Sequence, residues 1–327
     1  MFLKGVSVKR LLLAALALLG VFGGAKPIVI GITQIVDHPA LNACRDGIIE
    51  ALRRAGYIEG ENVQYIITNA QGDFSVAMAI AQDFLARRVD LVVSITTPSS
   101  QAIVQVFKDT NIPVVFSAVT DPVGAGLTGY PNVTGASDMI DVRADLELLL
   151  KVIPSLKRLG QIYNPGEANS AILTEMTKKA AAELGISLIV VPAEGTAAVP
   201  LAAQSLLGRV DAIYCTTDNT VAAALDAVVD VAKKGKIPFL FADPTSLERG
   251  VLICTGFDYF DHGLLTGEIV LKILQGTSPK DIPFVRQAGT QVWFNLDVAE
   301  EIGFVFSAEA KKLATGLLFG GERFVKE

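Results

Sequence analysis

Asp90-Leu-Val-Val-Ser-Ile-Thr-Thr-Pro-Ser-Ser-Gln-Ala102 carries an apolar run, 91–95, straight into hydroxyl residues and a proline. Proline is tolerated in the first turn of a helix because the N–H it lacks would have no intrahelical partner there, so the run reads as a strand feeding a helix. The first N–H groups of such a helix point outward, unpartnered and partly positive. Thr96, Thr97, Ser99 and Ser100 set hydroxyls beside them, which is the chemistry of a small-anion socket. The order returns once. Arg209-Val-Asp-Ala-Ile-Tyr-Cys-Thr-Thr-Asp-Asn-Thr-Val-Ala-Ala223 repeats the Arg-Val-Asp, apolar strand, Thr-Thr and helix start of the first stretch. Downstream, Ile112-Pro-Val-Val-Phe-Ser-Ala118 matches Ile237-Pro-Phe-Leu-Phe-Ala-Asp243. Two similar halves are expected.

Working outward, apolar runs of strand length alternate with stretches of helical spacing. The first half reads as strand 27–32, helix 41–55, strand 63–68, helix 76–86, strand 91–95, helix 101–108 and strand 114–118. A turn-rich segment, 122–135, then marks the end of a lobe. The second half gives helix 142–153, strand 158–163, helix 169–184, strand 186–191, helix 199–207, strand 210–215, helix 220–234 and strand 238–242. A strand at 251–256, a helix at 263–274, a proline-bounded segment 279–294 and helical turns at 296–302 and 308–318 complete the chain. This alternation signals parallel sheets covered on both faces. The expected class is α/β, with two Rossmann-like lobes joined by two or three crossovers. Residues 26–141 plus about 258–278 are assigned to the first lobe, and 142–257 plus about 279–327 to the second.

The chain has 327 residues, 51% hydrophobic and 19% charged, enough to bury two such cores. A net charge of −6, with no Lys/Arg run after residue 26, excludes a phosphate-tracking nucleic-acid protein. Residues 1–25 place Lys4, Lys9 and Arg10 before the apolar run 11–21 and the small residues 23–25, the order of a secretory signal. That run is short of the about 20 residues a spanning helix needs. Export to a periplasm is expected, with no cysteine near the cut to carry a lipid. Cys44, Cys215 and Cys254 lack metal-ligand spacing and are expected to be buried thiols, and no metal or cofactor is expected.

With these residues in view the chain resembles the substrate-binding proteins of ABC transporters, specifically the tryptophan/tyrosine-type group with the type I periplasmic-binding fold. The resemblance runs over nearly all of the chain after residue 26. It rests on Ile30-Gly-Ile-Thr-Gln-Ile-Val-Asp-His-Pro-Ala-Leu41, Ser117-Ala-Val-Thr-Asp-Pro-Val-Gly124, Tyr163-Asn-Pro-Gly-Glu-Ala-Asn-Ser170, Thr217-Asp-Asn-Thr220 and Gly256-Phe-Asp-Tyr-Phe-Asp-His-Gly263. It implies a monomeric extracytoplasmic receptor that captures an amino acid, commonly aromatic, between two closing lobes and hands it to a membrane permease driven by a separate ATPase.

An amino acid needs an anion socket and a cation partner. In the first repeat Thr97, Ser99 and Ser100 offer hydroxyls and a helix start without an acid, which suits a carboxylate. The second places Asp218 and Asn219 after Thr217, so Asp218 is expected to meet the ammonium, with Glu167 or Asp243 as alternatives. In open α/β sheets ligands bind beyond the carboxyl ends of strands. That rule adds Thr33, Gln34, Ser117, Val119, Thr120 and Asp121 from the first lobe, and Asn164, Asn169 and Ser170 from the second. Tyr259 is a candidate pocket wall. The same residue types are ordinary helix caps, and capping is the competing reading of each loop.

Sharper motifs fail. Gly124-Ala-Gly-Leu-Thr-Gly129 spells a dinucleotide fingerprint but runs into Tyr-Pro-Asn-Val-Thr-Gly, which cannot open a helix. His38 and His262 are the only histidines, and neither has a nucleophile in a recognisable arrangement, so capping or ligand binding is expected of them rather than catalysis. A ligand-sensing domain of a signalling system would share the fold but should carry an output module. An exported α/β enzyme would need a positioned base.

Overall fold

Two sheets organise the chain in a computed structural model that describes residues 26–326; the expected export signal lies outside the described residues. The first sheet contains β1 (Ile28–Gln34), β2 (Val63–Asn69), β3 (Leu91–Ile95), β4 (Val114–Ser117), β5 (Val133–Ser137) and the two-residue β11 (Val285–Arg286). Its order is β11-β5-β4-β3-β1-β2 and every pairing is parallel. Helices α1 (Pro39–Arg54), α2 (Phe74–Arg87) and α3 (Thr97–Phe107) connect its strands.

The second sheet follows α4 (Val142–Val152). It takes β6 (Arg158–Tyr163), β7 (Ser187–Pro192), β8 (Ala212–Cys215), β9 (Phe239–Phe241), β10 (Ile253–Gly256), β12 (Gln291–Asn295), β13 (Gly316–Phe319) and β14 (Glu322–Val325). The order is β14-β13-β12-β10-β9-β8-β6-β7, antiparallel only at β10–β12 and β13–β14. Its helices are α5 (Ala168–Glu183), α6 (Val199–Gln204), α7 (Asn219–Ala223), α8 (Leu225–Gly235), α10 (Leu296–Ile302) and α11 (Ala308–Leu313). Strands buried on both faces explain the near-continuous apolar runs, such as the five buried residues of β3.

The chain passes between the sheets three times among the described residues, at 138–141, 257–258 and 287–290. After the second passage α9 (Tyr259–Leu274) returns to the first lobe and packs against α1. The contact is close because glycines line it. A Cβ on Gly263 would lie 2.1 Å from the Cys44 carbonyl oxygen, and one on Gly47 2.2 Å from that of Phe260.

The local pattern misled at four places. Residues 279–286, assigned above to the second lobe, run along the first sheet, where Val285 pairs with Ala136. The turn-rich reading of 122–135 hid β5, whose small residues Val-Thr-Gly-Ala-Ser are all buried and so show no alternation. The helix read at 220–234 breaks at Ala224 into α7 and α8. The helical turns read at 308–318 end at Leu313, and the chain then forms a hairpin turning at Gly320 and Gly321, both at positive φ.

Candidate functional site

The carboxyl ends of the parallel strands in both sheets converge on one small cavity, where ligands of open α/β sheets bind. From the first lobe come His38, Ala40 and Leu41 after β1, Thr96 and Thr97 after β3, Ala118 and Thr120 after β4, and Asp138 after β5. From the second come Asn169 of α5, Thr217, Asp218 and Asn219 after β8, Ala222 of α7, and Phe241 and Asp243 at the end of β9. Tyr259, at the start of α9, completes the wall.

The two repeats differ where it matters. In the first lobe α3 has no side-chain cap: Thr96 occupies the N-cap position, yet its hydroxyl and that of Thr97 are buried without a hydrogen-bond partner. The backbone there is strained. Thr96 sits at φ 87° and Ala118, beside it at the end of β4, at φ 51°, conformations that cost non-glycine residues of order 1–3 kcal/mol and persist only where surroundings enforce them. His262 helps, its Nε2 accepting the Ala118 N–H at 2.9 Å. Burial pushes that imidazole down to about 4, so it stays neutral and able to accept.

In the second lobe the start of α7 is capped twice. Asp218 Oδ1 accepts the Val221 N–H at 2.8 Å, and its Oδ2 accepts the Asn164 N–H at 2.6 Å and the Ser170 hydroxyl at 2.5 Å. Glu167 Oε1 accepts the N–H and hydroxyl of Thr220, and its Oε2 accepts from Asn219 and Asn169. Burial, with the neighbouring Glu167, pushes the Asp218 carboxyl up to about 7. Asp243 is likewise occupied, holding the N–H and hydroxyl of Thr245 and the hydroxyl of Ser246.

Asp138 differs from these three acids. It lies in the first crossover, its Oδ2 accepts the Tyr259 hydroxyl at 2.9 Å, and its Oδ1 is buried with no partner. Burial pushes its carboxyl up to about 6, opposed only by hydrogen bonds. Among the described residues no lysine or arginine lines the cavity. The arrangement therefore offers one uncapped helix start for an anion and one free carboxylate oxygen for a cation, flanked by the apolar Leu41, Ala222 and Phe241.

The cavity brings together His38, Thr96, Thr97, Thr120, Asn169, Thr217, Asp218, Asn219, Asp243 and Tyr259 of the residues singled out in the sequence. Others lie off it. Ser100 turns inward to Ser94 and the Thr96 carbonyl, Ser117 bonds Thr266 and Cys44, and Val119 belongs to the apolar core. Thr33, Gln34 and Ser99 are buried away from the cavity, Gln34 donating to the Val36 carbonyl and to Asn42. Asp121 caps the turn at Val123 and Gly124, while Glu167, Asn164 and Ser170 support α7 from behind. Asp138 was missed because β5 was missed; with that strand recognised, an acid one residue past its end stands at the ligand-facing edge. Among the described residues no group of three His, Cys, Asp or Glu side chains could hold a metal.

Comparison with known proteins agrees with this architecture. A protein described as tyrosine-binding, from Clostridioides difficile strain R20291, is 35% identical over 278 residues, 84% of this chain and 80% of its own length. A Streptococcus pneumonia domain solved in complex with L-Trp superposes with a TM-score of 0.85 at 30% identity, over 90% of this chain and 100% of that one. A conserved domain protein from Vibrio cholerae gives 0.86 at 37% identity, over 89% and 100%. The ligand-free, open structure of a Clostridium difficile substrate binding protein with adhesive properties gives 0.65 at 37% identity, over 86% and 96%. The family description "ABC transporter substrate binding protein" matches residues 29–317, and the chain belongs to that family.

Proposed function

We propose that this protein is the extracytoplasmic receptor of an ABC importer and that it captures an L-amino acid with an aromatic side chain between its lobes. The observation that carries the reading is the asymmetry of the cavity: α3 is left uncapped while Asp138 keeps one buried oxygen free. The α-carboxylate would take the N–H groups at the start of α3 with the hydroxyls of Thr96 and Thr97, and the α-ammonium would take Asp138 Oδ1, with Thr120 beside it. Asn169, Thr217 and Asn219 would close on the ligand from the second lobe, and Leu41, Ala222 and Phe241 would face its side chain. Charge-assisted bonds of this kind contribute about 1.5–3 kcal/mol each. The tyrosine-binding relative and the L-Trp complex support an aromatic ligand. Delivery to a permease and its ATPase follows from the family.

A binding role is favoured over catalysis because the acceptor nitrogen of each histidine is already used. His38 Nδ1 accepts the Ala40 N–H and His262 Nε2 that of Ala118, which leaves neither as a base. Calorimetry with L-tyrosine and L-tryptophan, set against tyramine and 3-(4-hydroxyphenyl)propanoate, tests the reading. The zwitterions should bind one to one and the analogues, each lacking one charged end, should bind far more weakly. Equal affinity for the analogues would exclude the two-ended site.

A further inference from the structure

One part of the wall is not used by the ammonium and carboxylate. His38, which opens α1 in the first lobe, faces Asp243 of the second across the gap, Nε2 to Oδ2 at 3.5 Å. That is too long for a good hydrogen bond, yet one oxygen atom could touch both. His38 Nδ1 accepts the Ala40 N–H, so the ring proton sits on Nε2, where it is buried and unpartnered. Burial lowers the pKa of His38, and Arg249 adds to this, against the opposing pull of Asp243 and Asp37, so the ring is a neutral donor. Asp243 Oδ2 accepts from Ser246 and Thr245 and faces the His38 donor. Beside the pair lie the apolar Ala40 and Leu41 on one lobe and Phe241 on the other.

We infer that His38 and Asp243 form a subsite that reads a hydroxyl on the ligand's aromatic ring: His38 Nε2–H donates to the phenol oxygen and the phenol O–H donates to Asp243 Oδ2. The pair thereby selects tyrosine over phenylalanine. This rests on the amino-acid reading above. A phenol alone among the aromatic side chains both accepts and donates at one atom; an indole N–H satisfies Asp243 and leaves the His38 proton buried and unpaired. Sites built to bond a hydroxyl reject analogues lacking it, because their own polar groups are then stranded.

Calorimetric titration of the wild type, His38→Asn and Asp243→Asn with L-tyrosine, L-phenylalanine and L-tryptophan decides the matter. Asparagine retains an acceptor at both capping positions, so both variants should fold. The wild type should bind tyrosine at least about tenfold tighter than phenylalanine, and each variant should bring tyrosine to within about threefold of phenylalanine while leaving phenylalanine nearly unchanged. Phenylalanine binding the wild type as tightly as tyrosine would overturn the subsite alone. So would variants that weaken both ligands equally, which marks a structural role. Failure of all three amino acids to bind the wild type would overturn the amino-acid reading itself, and the subsite with it.

Discussion

Four buried acids stand at or behind the cavity, and their hydrogen bonds sort them. Asp218 and Glu167 have their oxygens engaged within the second lobe and Asp243 caps Thr245 and Ser246 while facing His38, whereas Asp138 keeps one oxygen with no partner. Asp138→Asn should weaken an aromatic amino acid at least about tenfold in calorimetry with little change in melting temperature. Asp218→Asn should instead lower the melting temperature, since it turns a hydrogen-bond donor toward the Asn164 N–H and Ser170. The pH dependence follows from burial raising the Asp138 carboxyl to about 6. Only the carboxylate pairs with an ammonium, so affinity should be full above about pH 7 and fall as pH drops through 6, by up to about tenfold per unit. An affinity flat between pH 5 and 8 would place the ammonium elsewhere. At this scale the sequence revealed residue types but not their partners. Asp218 follows Thr-Thr where a ligand acid is expected, yet whether its oxygens are free depends on Asn164 and Ser170, 48 to 54 positions away.

At the scale of elements, the repeated strand, Thr-Thr loop and helix were legible because fully buried strands leave unbroken apolar runs and proline and glycine mark their ends. Short elements were not. β5 and β11 take their identity from neighbours in the sheet, and no local pattern of five or two residues can specify that. The α1–α9 contact was also invisible in the sequence, for its glycines matter only once the helices touch. Gly263→Ala should cost about 1–3 kcal/mol or more in denaturant unfolding, because the methyl would meet backbone rather than a side chain that can yield. As α9 begins at Tyr259, which bonds Asp138, the same change should also weaken ligand binding; an unchanged stability and affinity would show that the helices separate freely.

At the scale of the molecule, three crossovers among the described residues join the lobes and two of them bear on the site. Asp138 lies in the first and Tyr259 directly follows the second, so on the proposed reading a ligand held by Asp138 would bear on the crossovers themselves. Residues of both lobes are buried in one cavity, the arrangement of a closed cleft. A ligand that touches both lobes favours the closed state by its differential affinity. Small-angle X-ray scattering should therefore show a smaller radius of gyration with an aromatic amino acid than without, and a radius indifferent to ligand would rule out closure as the response. The most direct measurement is a crystal structure with L-tyrosine bound. The expected result is an ammonium within hydrogen-bond distance of Asp138 Oδ1 and a carboxylate at the start of α3. A ligand whose ammonium is held by Asp218, with Asp138 Oδ1 untouched, would contradict it.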